Sequence, residues 1–450
     1  MNEAFLELIN SRKFVELKYY LSNMHPADLI EVFEELSLKA ITVVFRILPK
    51  ELAAEVFVLM DGEHKIKLVE SFSDKELKAV FDELFMDDAV DIIEEMPASV
   101  VKRILRQTDN DTRKTINQIL AYPEDSAGSI MTTEYINLKK NMTVSDAFAR
   151  IRKLGGDSKD LYVNYVTDNN RHLIGVITVK EMLLLKEDAR IDEVMNTNVI
   201  SVKTTDNKEV VAQLFDKYDF ITIPVVDNEN RLVGIVTVDD AIEVLQDAAT
   251  EDIKKMAAIT PTQKPYFKIG VFDTFKARIV WLIILMLSAT ITGMIIKSFE
   301  TALASQVVLT AFIPMLMNTG GNSGSQSSVT IIRSLSLGEI EFKDTIKVLW
   351  KELRVSIICA GALTCANFIK MLIIDIWLMN SGLSLSVALV VCFSLFCTVV
   401  VAKLVGSLLP IIAKEIGFDP TIMASPFITT IVDILSLIIY FNLARLILKL

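Results

Sequence analysis

"FDPTIMASPFITTIVDILSLIIYF", residues 418–441, is long and apolar enough to cross a bilayer, yet Asp433 stands near its middle with eight further residues beyond it, all but one apolar. About 20 such residues span the hydrocarbon core as a helix. A carboxylate at that depth costs roughly 2.5–3.5 kcal/mol on insertion scales, so it faces a bundle interior or a watery path, not lipid. At helical spacing, Ser425, Thr429, Asp433, Ser436 and Tyr440 recur at four, four, three and four, one polar stripe on an Ile/Leu/Val helix.

Working outward, apolar runs at 279–296, 303–332, 355–378, 385–413 and 421–446 predict five membrane helices. Lys264, Lys268, Lys276 and Arg278 precede the first, Arg333, Lys343, Lys347, Lys351 and Arg354 fill the loop after the second, and Lys414 follows the fourth, which sets these loops on the cytoplasmic side of the cell membrane. Five spans then leave the C-terminus outside, against the weaker signal of Arg445 and Lys449. Lys370 and Lys403 are the basic residues well inside the other spans, each near an end, so a structural partner for Asp433 is hard to find and a pore-lining role is favoured.

The second run contains "PMLMNTGGNSGSQSSVT", residues 314–330. Asn318, Asn322 and Gln326 step by four, and Gly320, Gly321 and Gly324 leave room for close backbone approach. Amide oxygens, free carbonyls and one carboxylate make an all-oxygen lining, which suits hard cations, and the stripe lacks the His and Cys that Zn2+ or Cu+ prefer. Magnesium fits best, recognised as a hydrated ion. One Asp per chain is sparse; two copies around a dimer axis would set two carboxylates on one ion.

Composition divides the chain. It has 450 residues, 52% hydrophobic. Residues 1–260 hold 47 of the 57 acids and 31 of the 46 bases, net −16, and the remainder is +5. The acidic part reads as soluble and the rest as membrane-embedded. "MNEAFLELINSRKF" at the start is amphipathic and charged, without the apolar core of an export signal, so the acidic part is expected in the cytoplasm. Cys359, Cys365, Cys392 and Cys397 lie in apolar runs and His25, His64 and His172 stand alone, giving no metal spacing. No nucleophile–base pair or phosphate-cradling loop suggests an enzyme, and no nucleic-acid partner is expected.

The soluble part carries two repeat systems. "PADLIEVFEEL" from Pro26, "PKELAAEVFVLM" from Pro49 and "SDKELKAVFDEL" from Ser73 recur at about 24 residues, which predicts a helical solenoid. Further on, "SIMTTEYINLKKNMTVSDAFARI" from Ser129 is echoed by "EVMNTNVISVKTTDNKEVVAQLF" from Glu193, and "HLIGVITVKEML" by "RLVGIVTVDDAI". These segments resemble a pair of cystathionine-β-synthase (CBS) domains, in β-α-β-β-α order. That resemblance implies adenine-nucleotide clefts, in which Thr237 and Asp240 match the ribose-binding Thr-x-x-Asp pattern. Thr178 is followed by Lys180 and Glu181 instead, and plain packing is the alternative for both. Acids also line up at helical spacing: Asp88, Asp91 and Glu95, then Asp240, Glu243, Asp247 and Glu251. Each row reads as a solvated face or as carboxylates that divalent cations would hold together.

The domain order with "P-x(5)-GGN-x-G-x-Q" and "DP-x(4)-SP-x(6)-D" resembles the MgtE family of magnesium channels over essentially the whole chain. The resemblance implies a helical N domain at 1–125, CBS domains at 126–188 and 189–247, a connecting helix and linker at 248–270, and a five-helix pore domain at 271–450. It implies a homodimer in membrane lipid that conducts Mg2+ through a pore where Asp433 binds the hydrated ion, with Ser425, Thr429 and Asn322 nearby; the family often has Asn where Ser425 stands. It further implies closure by Mg2+ bound among Asp88 or Asp91, Asp240, Glu243, Asp247, Glu251 and Asp252, with Glu95 and Asp219 as added candidates, and ATP as a modulator on the CBS pair. Two rival readings are a secondary transporter with Asp433 as coupling carboxylate, which the lack of a convincing inverted repeat disfavours, and a membrane-anchored sensor without transport.

Overall fold

The structure is a computed structural model that describes residues 11, 13–34, 36–262, 266, 269–378 and 384–449. It separates into two compact units, Met1–Gln246 and Asp247–Leu450.

Within the first unit, a run of short helices comes first: α1 (Phe14–Leu21), α2 (Pro26–Glu34), α3 (Leu38–Phe45), α4 (Lys50–Leu59), α5 (Gly62–Ser71), α6 (Asp74–Phe81), α7 (Met86–Glu95), α8 (Ala98–Gln107) and α9 (Asn110–Ile119). Their starts are written locally. Ser37, Asp61 and Asp109 accept hydrogen bonds from backbone N–H groups of the next turn, Ser73 and Glu76 form a reciprocal capping pair, and Pro49 and Pro97 precede α4 and α8. Helices of 8–10 residues do not persist alone in water. Each therefore packs on the next but one, α2 on α4, α3 on α5, α4 on α6, so that a 24-residue sequence repeat is a helix pair. Phe45, Phe57, Phe72 and Phe81 join successive pairs with ring centroids 5.4–6.4 Å apart.

Two three-stranded sheets follow with identical topology. β1 (Tyr135–Lys139) runs parallel to β2 (Asp160–Thr167), which pairs antiparallel with β3 (Leu173–Thr178). In the echo, β4 (Val202–Lys203) is parallel to β5 (Thr222–Val226) and β5 antiparallel to β6 (Leu232–Thr237). α10 (Val144–Leu154) and α13 (Lys208–Tyr218) make the parallel crossovers, and α11 (Val179–Leu183), α12 (Ile191–Val194) and α14 (Val238–Met256) complete the set. The repeats interlock: Thr132 and Ile235 exchange backbone hydrogen bonds at 2.8 and 2.9 Å, and the buried Tyr165 hydroxyl meets Thr222 Oγ1 at 2.7 Å.

The division between units falls inside α14. Beyond it stand α15 (Val271–Ser298), α16 (Glu300–Ser305), α17 (Ile313–Ser336), α18 (Thr345–Lys370, continued by π-helical turns Met371–Leu378), α19 (Leu385–Glu415) and α20 (Ser425–Leu448). Four of them, α15, α18, α19 and α20, are long and apolar enough to cross a membrane. The expected fifth, α17, spans 24 residues but is too rich in Gly, Ser and Asn to qualify by composition. It begins ten residues later than the run at 303 suggests, because Pro314 lacks an N–H and sits in the first turn of a new helix after the 3-10 turns Val307–Phe312. α19 is central, touching α17, α18 and α20, whereas α15 contacts chiefly α20 and buries no residue.

Candidate functional site

Asp433 is half-buried on α20 and makes no hydrogen bond or ion pair with any described residue. The cations that might have neutralised it are engaged elsewhere. Lys370 Nζ lies 3.0 Å from Asp375. Lys403, only 6% exposed, lies 3.4 Å from Ser327 Oγ, which donates to Glu352 Oε2 at 2.8 Å. Buried charges are kept by such partners, and Asp433 has none among the described residues.

The polar stripe of α20 divides in the structure. Thr429 and Asp433 are half-buried, but Ser436 and Tyr440 point into the bundle, where Ser436 Oγ donates to Val432 O at 2.6 Å and the Tyr440 hydroxyl to Leu309 O at 2.9 Å. The stripe thus faces the bundle interior at its far end; spacing alone does not reveal which polar groups are satisfied by backbone carbonyls. Thr429 Oγ1 itself donates to Pro426 O at 3.0 Å. The Ser425 side chain lies outside the described part of the structure.

α17 has two faces. A Cβ on Gly321 would stand 3.0 Å from Thr429 Cγ2, one on Gly320 would stand 2.7 Å from Thr398 Cγ2, and one on Gly406 of α19 would overlap the Gly324 carbonyl oxygen. At the Gly324–Gly406 crossing the backbones approach that closely because neither residue carries a side chain. On the other face Asn318, Asn322 and Gln326 are exposed, with Asn322 Nδ2 donating to Asn318 Oδ1 at 3.2 Å. Three amides facing outward from a membrane helix are tolerated only against water or protein.

In the first unit, the acids meet a lysine that the sequence reading passed over. Lys159, just before β2, places Nζ 3.0 Å from Asp87 Oδ2, 3.4 Å from Asp88 Oδ2 and 3.9 Å from Asp239 Oδ2, and 5.1 Å from the Phe85 ring centroid. Asp87 is 3% exposed and its Oδ1 has no partner. Glu134 caps α7, accepting from Met86 N at 2.8 Å and Thr132 Oγ1 at 2.6 Å. Burial, then the Asp87 charge, pushes Asp88 up to about 6, and the same two causes push Asp240 up to about 7 against the opposing Thr237 hydroxyl and Lys159. Asp91 is also raised, to about 7, by burial and then by Asp87, Asp240, Glu243 and Asp88. Its surface stays open to water, so Asp88 and Asp240 carry more weight. Burial opposes the charge of Lys159, yet Asp87, Asp88 and Asp240 hold its ammonium above the usual lysine range.

Asp88, Asp240 and Glu243 are therefore brought within electrostatic reach of Asp91. Glu95 is not among them and pairs with Lys65 at 3.4 Å. Asp219 is an exposed, left-handed residue closing α13 at φ 54°. Asp247, Glu251 and Asp252 belong to the second unit, where Lys255 Nζ bridges Glu251 Oε1 and Asp419 Oδ2, each at 2.6 Å. Asp419 also accepts from Thr421 N at 2.9 Å, and burial followed by the Asp419 charge raises Asp252. Among the described residues no three His, Cys, Asp or Glu side chains stand ready to ligate one ion; lysine ammonium groups occupy the acid clusters. Asp419 was legible only as the Asp before Pro420, and Lys159, Asp87, Asp239, Lys255 and Glu352 gave no signal of their own.

The two nucleotide candidates are closer kin than their sequences suggest. Thr237 Oγ1 donates to Asp240 Oδ2 at 2.5 Å, and Thr178 Oγ1 donates to Glu181 Oε2 at 2.8 Å while accepting from Glu181 N at 3.1 Å. Both are threonine–acid turns after the last strand of a repeat. Thr237 is 4% exposed, whereas Lys180 and Glu181 are open to solvent.

Known proteins match the chain over nearly its whole length. The family described as a divalent cation transporter matches residues 313–443, the MgtE intracellular N domain matches 24–125, and the CBS domain matches 127–187 and 191–247. The magnesium transporter MgtE of Thermus thermophilus is 35% identical over 437 residues, covering 96% of this chain and 95% of that protein. The protein of the same name from Bacillus subtilis is 32% identical over 437 residues, covering 97% and 95%. A crystal structure described as the cytosolic domain of the Mg2+ channel MgtE in complex with ATP is 33% identical, covers 54% of this chain and all of its own, and gives a TM-score of 0.52. The soluble part of a magnesium transporter is 28% identical, covers 55% and 97%, and also gives 0.52. Fold and matches together define a membrane cation transporter with a cytosolic N-terminal part, not an enzyme. The chain belongs to the MgtE family.

Proposed function

We propose that the chain is a Mg2+-selective channel of the cell membrane, acting as a homodimer that conducts Mg2+ into the cytoplasm and closes when cytoplasmic Mg2+ is high. Asp433 carries the reading: a membrane carboxylate without a partner among the described residues, in a unit where the buried Lys403 lies beside Ser327 and the exposed Lys370 pairs with Asp375. Two copies about an axis would set two Asp433 carboxylates, two Thr429 and Ser425 hydroxyls and the exposed Asn322 rows around one hydrated ion. The C-terminus then lies outside.

Closure follows from charge. Lys159 and Lys255 neutralise only part of the carboxylate charge that Asp88, Asp91, Asp240 and Glu243 bring together, and that Asp247, Glu251, Asp252 and Asp419 carry on and beside α14. Mg2+ binds the compact arrangement better than the loosened one, and that difference in affinity supplies the switch. Because α14 carries residues of both acid groups, closing one is coupled to the other. Nucleotide at the Thr237–Asp240 and Lys180–Glu181 turns would tune the same helix; the relative solved with ATP supports ATP as the modulator. Single-channel recording in planar bilayers tests the proposal. Mg2+ currents that need no proton or sodium gradient and shut as Mg2+ rises on the N-terminal side are expected. Flux that stops when such a gradient is collapsed would instead make Asp433 a coupling carboxylate.

A further inference from the structure

At the foot of α15 the linker folds back on the helix. Thr260 N donates to Ala277 O at 2.9 Å, and Lys254 Nζ is bonded to Thr262 O. Between linker and helix lies a cavity of about 370 Å3 walled by Lys254, the backbone from Ile259 to Thr262, Asp273, Lys276 and Arg278. A second cavity, about 570 Å3, adjoins it and shares Tyr266, Ile269, Thr274 and Arg278. Its remaining walls are Val271, Phe275, Ile279 and Leu282. Lys254 and Lys276 line the first cavity, Arg278 lines both, and the second climbs a helix that buries none of its residues in the protomer.

We infer that this paired cavity binds one anionic phospholipid of the inner leaflet. The phosphate would rest on Lys276 and Arg278, and an acyl chain would follow Phe275, Ile279 and Leu282 up α15. Three observations carry the assignment. Neither Lys276 nor Arg278 has an acidic partner among the described residues, so their charge is available. Both sit immediately below the apolar run that starts at Ile279, the level at which phosphates lie. The residues that line only the second cavity, Val271, Phe275, Ile279 and Leu282, are all apolar and suit an acyl chain, while a free phosphate would use only the basic side chains of the first. Asp273, exposed at the same rim, sets a preference for a phosphodiester over a more highly charged headgroup.

Native mass spectrometry of the full-length protein in detergent, titrated with phosphatidylglycerol, phosphatidylcholine or inorganic phosphate, tests this. Phosphatidylglycerol is expected to be retained by the parent and held about 30-fold more weakly by Lys276→Gln/Arg278→Gln, given the usual worth of two basic residues at an anionic lipid surface. Lys343→Gln/Lys347→Gln removes equal charge from a loop whose lysines pair with Glu341 and Asp344, and should leave binding within about threefold. The charge-keeping swap Lys276→Arg/Arg278→Lys should bind like the parent. Equal loss in the loop control would make the attraction diffuse and overturn the site. So would retention by the double glutamine variant, phosphatidylcholine binding as well as phosphatidylglycerol, or displacement by inorganic phosphate.

Discussion

Lys159 and Asp87 lie 72 residues apart in sequence and 3.0 Å apart in space, and between them they decide how the acids of the first unit tolerate one another. Replacing Lys159 with Met keeps the length and removes the charge, leaving Asp87 buried and unpaired. Breaking such a pair typically costs about 3–5 kcal/mol. Amides of α7 should then exchange about a hundredfold or more faster in EDTA, with Mg2+ restoring much of the protection; unchanged protection would make Lys159 incidental. Protons act on the same cluster. A carboxyl whose folded pKa is raised holds its proton more tightly folded than unfolded, so stability falls as pH rises from about 4 to 7, opposite to a salt-bridged Asp. Mg2+-free protein should therefore protect α7 and the start of α14 better at pH 6 than at pH 8, after correction for intrinsic exchange, and Mg2+ should erase the difference. At this scale Asp433, Asp88 and Asp240 were legible because helical spacing exposes them. Lys159 was not, since a long-range partner leaves no local pattern.

The helices show which parts of the membrane unit were written plainly. α15, α18, α19 and α20 are long apolar runs and were read directly, and the paired repeats gave both sheets their order. α17 was read too long, because hydropathy carried the run through the 3-10 turns that Pro314 ends. Its glycines were visible, but the partner Gly406 was hidden in a run of aliphatic residues. The close approach makes a sharp test. Gly406→Ala drives a methyl into the Gly324 carbonyl and should destabilise by about 1–3 kcal/mol or more, lowering the melting temperature in detergent by several degrees. Gly361→Ala on α18, with open space around it, should stay within about 0.5 kcal/mol. Equal melting of the two variants would mean that α17 and α19 do not pack this closely.

In the proposed function, α14 links the acidic first unit to the membrane unit within the whole molecule. The acid rows were legible as charge, but not their partial neutralisation by Lys159 and Lys255. Asp91→Ala with Asp247→Ala and Glu251→Ala should keep the channel open in millimolar-range Mg2+ without changing unitary conductance; closure like the parent would place gating elsewhere. The most direct measurement concerns Asp433. Proteoliposomes loaded with a Mg2+-sensitive dye should take up Mg2+ with the parent and fall to near the protein-free background with Asp433→Asn, which removes the charge and little volume. Parent-like uptake by a folded, dimeric Asp433→Asn protein would contradict the account.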